Sequence, residues 1–113
     1  MAKFQIKKLT NNHFRFFVKA GNGQIILTSE LYSSLGNCLD AIESLRKNVV
    51  DKDLYEFKKS LNLKHYFIVR DEDGVAIGSS ELYESSSGRD IGISLLKANV
   101  PLADIEDLTG TRN

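Results

Sequence analysis

Apolar and polar residues alternate through Phe4-Gln5-Ile6-Lys7-Lys8 and again through Phe14-Arg15-Phe16-Phe17-Val18-Lys19. The spacing then changes, with Leu39, Ile42, Leu45 and Val49 recurring at three and four. Period two predicts half-buried strands, and the later spacing predicts an amphipathic helix. The whole succession then returns. Tyr55-Glu56-Phe57-Lys58-Lys59, His65-Tyr66-Phe67-Ile68-Val69-Arg70 and the stripe Ile93, Leu96, Val100 follow in the same order. A shift of 51 positions lays one half on the other without a gap, placing Ser29-Glu30-Leu31-Tyr32 on Ser80-Glu81-Leu82-Tyr83. The chain is a tandem duplication, and the repeat dictates the architecture.

The joints fit this reading. Thr10-Asn11-Asn12 and Ser60-Leu61-Asn62 are polar turns, and Gly21-Asn22-Gly23 and Glu72-Asp73-Gly74 are hairpin turns. For Ile26 and Ile77 to face the core beside Val18 and Val69, Ala20 must lie opposite Gln24. The loop then has three residues, a type I turn followed by Gly23 or Gly74 at positive φ. Third strands are expected over residues 24–29 and 75–80. Ser33 or Ser34, and Ser85 or Ser86, are suitable helix N-caps. Asn48 and Asn99 suit the closing turns, and Pro101 blocks further helix.

Residues 103–108 correspond under the shift to the entry of repeat two and predict a final strand returning to the sheet. The expected fold is α+β: two repeats, residues 3–50 and 54–109, share one antiparallel sheet about a pseudo-twofold. Two helices cover one face, the terminal strands are exchanged, and residues 110–113 form a frayed tail. Residues 49–54 contain no Gly, Pro or Ser run to act as a linker, and a unit of about 50 residues is near the lower limit for a lone core. One compact domain, residues 1–113, is therefore expected. The internal twofold covers the interface that a single repeat would satisfy by dimerising, so a monomer is expected.

The set Phe14-Arg15-Phe16, Gly21-Asn22-Gly23, Ser29-Glu30-Leu31-Tyr32-Ser33-Ser34 and Ile42-Glu43-Ser44-Leu45 through Asn48 resembles the YegP-like family of small uncharacterised bacterial proteins. The second copy carries the same signature at Gly74, Ser80-Glu81, Tyr83, Gly92-Ile93-Ser94, Lys97-Ala98-Asn99 and Asp107-Leu108-Thr109. It departs at Ser87, which replaces Gly36, and valines stand at 49 and 100 where the family favours alanine. The resemblance implies two β₃αβ units with exchanged terminal strands. It implies no activity.

Composition narrows the function classes. Fifteen basic residues balance fifteen acidic ones, so no global pull toward nucleic acid or membrane is encoded. One cysteine permits no internal disulfide, and no stretch reaches membrane-spanning length or resembles a signal peptide; a cytoplasmic protein is expected. His13 and His65 lack partners at ligand spacing. His13 is read as exposed, and His65 as a half-buried substitute for Phe14. Cys38 aligns with Arg89 and is read as leaning toward the surface. The Ser-Glu-Leu-Tyr signature is read as a structural handover from strand to helix, with the tyrosines against the helix and the glutamates near its N-terminus. The serines at 85–87 are read as cap and loop. No catalytic, cofactor or metal site is expected.

What remains is a surface. If Phe4, Ile6, Phe16, Val18 and Ile26 face the helices, the opposite face carries Lys7, Arg15, Phe17, Lys19, Lys58, Tyr66 and Arg70. The leading expectation is a non-enzymatic interaction module meeting a protein or peptide through this face or an uncovered edge. The alternative is weak binding of single-stranded nucleic acid by the same cations and aromatics. A small enzyme would need a pocket into which both copies project polar groups.

Overall fold

In the computed structural model, which describes residues 2–110, the alternating stretches are strands and the three-and-four stretches helices. Repeat one supplies β1 (Lys3–Lys8), β2 (Phe14–Lys19), β3 (Ile25–Ser29) and α1 (Leu35–Asn48). Repeat two supplies β4 (Tyr55–Lys59), β5 (His65–Arg70), β6 (Ala76–Ser80) and α2 (Ser86–Asn99), and β7 (Asp104–Asp107) closes the chain. The tail expected over 110–113 lies, beyond Gly110, outside the described residues.

The seven strands form one sheet in the order β4-β5-β6-β3-β2-β1-β7. The repeats meet at its centre, where β3 and β6 run antiparallel with Leu27 opposite Ser80 and Ser29 opposite Gly78. Strands following the helices are exchanged: β4, after α1, opens repeat two, while β7, after α2, returns to β1. That return is the departure from an all-antiparallel sheet, because β7 runs parallel to β1 with Phe4 beside Ile105 and Ile6 beside Asp107.

Both hairpins have the three-residue loop. Ala20 N–H donates to Gln24 O (2.8 Å) and Gly23 N–H to Ala20 O (2.9 Å), with Gly23 at φ 86° and Gly74 at φ 82°. The register beyond it differs from the expectation. Val18 lies opposite Leu27 instead of Ile26, and the ladder shifts before Lys19 meets Ile25. The same shift separates Val69, opposite Gly78, from Arg70, opposite Ala76. A bulge turns two consecutive residues toward one side of the sheet, and both Ile26 and Leu27 are buried.

Serine caps start both helices: Ser34 Oγ accepts from Asn37 N–H and Ser85 Oγ from Gly88 N–H, each at 3.0 Å. Their apolar stripes close over Phe4, Ile6, Phe16, Val18, Phe67 and Val69, which are fully buried with Ile42, Leu45 and Leu96. Cys38 belongs to this core. Contrary to its alignment with Arg89, it is fully buried, and burial, reinforced by Asp107, pushes its thiol up to about 11.

Candidate interaction surface

The duplicated Ser-Glu-Leu-Tyr signature has a structural explanation. Where β3 and β6 end, the Phe16 and Phe67 amides donate to the buried hydroxyls of Ser29 (2.9 Å) and Ser80 (3.0 Å). Each hydroxyl in turn donates to the next residue's carbonyl, Glu30 O at 2.7 Å and Glu81 O at 2.8 Å. Tyr32 and Tyr83 then pair backbone to backbone with Phe14 and His65. The Tyr83 ring lies against α2 so closely that a Cβ at Gly92 would collide with its hydroxyl. Burial raises the pKa of both tyrosines, that of Tyr32 to about 12. Glu30, Leu31, Glu81 and Leu82 are exposed.

The seven expected surface residues do share the sheet face opposite the helices, but not one patch. One row crosses that face as Glu106, Gln5, Phe17, Thr28, Ser79, Ile68 and Glu56. Lys7, Arg15, Phe17 and Lys19 lie on one side of β3 and β6, and Lys58, Tyr66 and Arg70 on the other. β2 and β5 are thus three strand spacings apart, about 14 Å. Lys7 Nζ sits 5.6 Å from the centre of the Phe17 ring, and Arg15 Nε donates to Ser29 O (3.1 Å). Arg70 holds Glu56 at 2.7 Å and donates to Gly74 O, and it keeps the Glu56 carboxyl below its ordinary range. Lys3 meets Glu106 at 2.9 Å, so two acids interrupt the basic face.

His13 is exposed and His65 half-buried. Among the described residues no group of three His, Cys, Asp or Glu side chains is arranged to hold a metal ion. An open groove of about 490 Å³ does draw on both copies, with Glu43, Ser44, Lys47 and Asn48 from α1 facing Asp71, Glu72 and Asp73 of the β5–β6 turn. No histidine, cysteine or tyrosine lines it, and Lys47 is paired with Glu72 at 3.2 Å.

The sharper contrast is between the edges. β1 is covered on its outer side: Leu108 N–H donates to Ile6 O (2.9 Å), and Gln5 Nε2 donates to Glu106 Oε1 (2.8 Å). Arg46 lies over the Phe4 ring at 4.9 Å and donates to Val100 O (2.8 Å), Pro101 O (3.1 Å) and Ala103 O (2.8 Å), fixing the segment that leads into β7. The equivalents in repeat two are Lys97 over the Tyr55 ring at 5.4 Å, with no further strand beyond β4 among the described residues. Phe57, the counterpart of fully buried Ile6, is 55% exposed and lies under the Arg89 guanidinium at 3.9 Å. Repeat symmetry concealed this surface from the sequence, since Ile6 and Phe57 hold the same position in matching alternating strands.

Comparison with known proteins fits the duplication. The model of a domain of unknown function (DUF1508) matches twice, over residues 10–56 and 62–107. The chain belongs to this YegP-like family. Each match starts after the first strand of its repeat and runs through the helix into the strand that follows, β4 or β7. UPF0339 protein YegP of Escherichia coli K12 is 41% identical over 106 residues, 94% of this chain and 96% of its own length. UPF0339 protein PA0329 of Pseudomonas aeruginosa is 39% identical over the same share of each. The solution structure of E. coli YegP, a protein of unknown function, superposes with a TM-score of 0.91 at 40% identity, covering 98% of this chain and 96% of that one. That of SO3888 from Shewanella oneidensis gives 0.90 at 36%, covering 96% and 92%. The YegP-like family therefore carries the fold without an assigned activity. No described helix is long and apolar enough to cross a membrane.

Proposed function

We propose that the chain is a non-enzymatic interaction module whose β4 edge takes an extended strand from a protein partner. The observation that carries this reading is the unequal treatment of equivalent strands: β1 is closed by β7, and β4 ends the sheet. The backbone of β4 has a definite outward row. His65 exchanges both backbone bonds with Tyr83, and Phe67 N–H goes to Ser80 Oγ, so both residues turn away from β4. Their opposite numbers, Lys59 and Phe57, therefore direct N–H and C=O outward. Such a row is a template for strand addition, in which backbone bonds give affinity and alternate side chains give specificity. Phe57 supplies an exposed anchor beside it.

The sheet face supports the nucleic-acid reading less well, because Glu56 and Glu106 stand among its cations and hold Arg70 and Lys3. A photo-crosslinking residue placed singly at Phe57, Phe17 or Leu102 of the full chain tests the assignment in cells. Adducts are expected from Phe57. Adducts from Phe17 or Leu102 alone, or from none of the three, sink the edge reading.

A further inference from the structure

The β4 edge is self-complementary, and we propose that its partner is a second copy of this chain, paired antiparallel through β4 about a twofold axis at Phe57. The inference rests on the edge reading above and specifies its partner. Only outward-directed residues can exchange backbone bonds across a new pair, so Tyr55, Phe57 and Lys59 must meet one another. Three symmetric registers pair at least two of them on each strand. Centring on residue 56 sets Glu56 against Glu56, and centring on residue 58 sets Lys58 against Lys58. Centring on Phe57 sets Glu56 against Lys58 twice, both on the face opposite the helices. Like charges directly opposite destabilise a sheet and unlike charges stabilise it, so charge selects the third register.

That register also fits the apolar and backbone groups. The two Phe57 residues become a hydrogen-bonded pair with rings adjacent on the helix face, each roofed by its Arg89, whose charge is balanced by Asp90 at 3.0 Å. Lys59 N–H faces the Tyr55 carbonyl of the other copy. The Tyr55 amide needs no partner there, because it already donates to Lys52 O. Lysines on an edge ordinarily discourage pairing, but here Lys58 meets a carboxylate. The internal pseudo-twofold satisfies β3 and β6 and leaves β4 unsatisfied, so the monomer expected from the duplication is incomplete at that edge. A five-residue edge is small against the surface of a stable interface, so the association is expected to be weak.

Sedimentation equilibrium and concentration-dependent NMR on the full chain test this. The wild type is expected to approach a dimer at millimolar concentration, with shifts concentrated in β4. Glu56→Lys and Lys58→Glu are each expected to weaken self-association by about tenfold or more, because each sets like charges opposite one another. An equimolar mixture of the two single variants restores unlike pairs at both positions and is expected to form a heterodimer. The double variant E56K/K58E restores unlike pairs across the axis while losing the Arg70–Glu56 contact within each chain, and is expected to dimerise more tightly than either single variant. A monomeric wild type at millimolar concentration, single variants that dimerise unchanged, or a mixture that fails to associate overturns the proposal. If the chain is monomeric while a crosslinker at Phe57 captures a different protein, the second-copy inference fails and the edge reading stands. If Phe57 captures nothing, both fail.

Discussion

Leu27 and Gly78 occupy the same position in the two repeats, and the leucine fills the space that the glycine leaves. A Cβ at Gly78 would lie 2.7 Å from the Thr28 carbonyl oxygen and 3.2 Å from Leu27 Cγ and Cδ2. Across the central β3–β6 pair there is room for one leucine, not two, so the two copies pack asymmetrically there. Gly78→Ala places its methyl against backbone that cannot swing aside. It is expected to cost about 1–3 kcal/mol, the usual range for overpacking a filled core, seen as a lower thermal midpoint by circular dichroism. An unchanged midpoint would show that the centre of the sheet can dilate.

Arg46 ties down the segment that leads into β7. Its guanidinium bonds three carbonyls of the lead-in segment, one of them on buried Ala103. Lysine keeps the charge but lacks the planar fork. Arg46→Lys is expected to destabilise the protein by about 1–3 kcal/mol, the scale of charged hydrogen bonds and orphaned carbonyls. Amide exchange should accelerate selectively at Asp104–Asp107 and Leu108. Uniform acceleration across β2 and β5 would mean that β7 is not an independent unit.

Strands, helices, caps and three-residue turns were legible because each rests on local chemistry that the two copies state twice. What escaped depends on differences between copies. The bulges at Ile26 and Ile77 arise from the ladder, where two adjacent apolar residues serve one opposite position, and no period-two pattern announces that. The alignment of Cys38 with Arg89 leans it toward the surface, yet the copies are covered differently on that side. β7 closes repeat one, while Arg89 roofs an otherwise open Phe57. The candidate site is this same difference. It could be read only once the sheet order showed which first strand had acquired a neighbour.

Leu63 has φ 62° in the turn before β5, where its counterpart in repeat one is Asn12 at φ 59°. The left-handed region suits asparagine and penalises leucine, whose exposed side chain contributes little packing there. Leu63→Asn is expected to stabilise the protein by roughly 0.5–1 kcal/mol, read as a raised urea midpoint with unchanged m-value. A lower midpoint would mean that the leucine packs favourably in solution.

Cys38 is enclosed, and its thiol is pushed from an ordinary 9.0 to about 11. Since the thiolate is the reactive species, Ellman's reagent at about pH 8 should label the native chain only as fast as it opens. Full labelling is expected in denaturant. Immediate stoichiometric labelling of the folded protein would contradict its place in the core.

Glu106 makes the β7 contact sensitive to acid. Hydrogen bonds from Gln5 and then Lys3 hold its pKa below the ordinary 4.5. A carboxyl depressed on folding contributes stability above its unfolded pKa, and the contribution is lost as pH falls through the folded value. Protonation also removes the charge that Lys3 meets. On titration from neutrality to about pH 2.5, β7 amides and the Gln5 side-chain amide should shift and exchange faster before β2 and β5 respond. Glu106→Gln keeps an acceptor for Gln5 without titrating, so it should abolish this acid-selective step while weakening the Lys3 contact at all pH. If β7 and the central strands lose protection together in both proteins, Glu106 is not the group that governs β7 in acid.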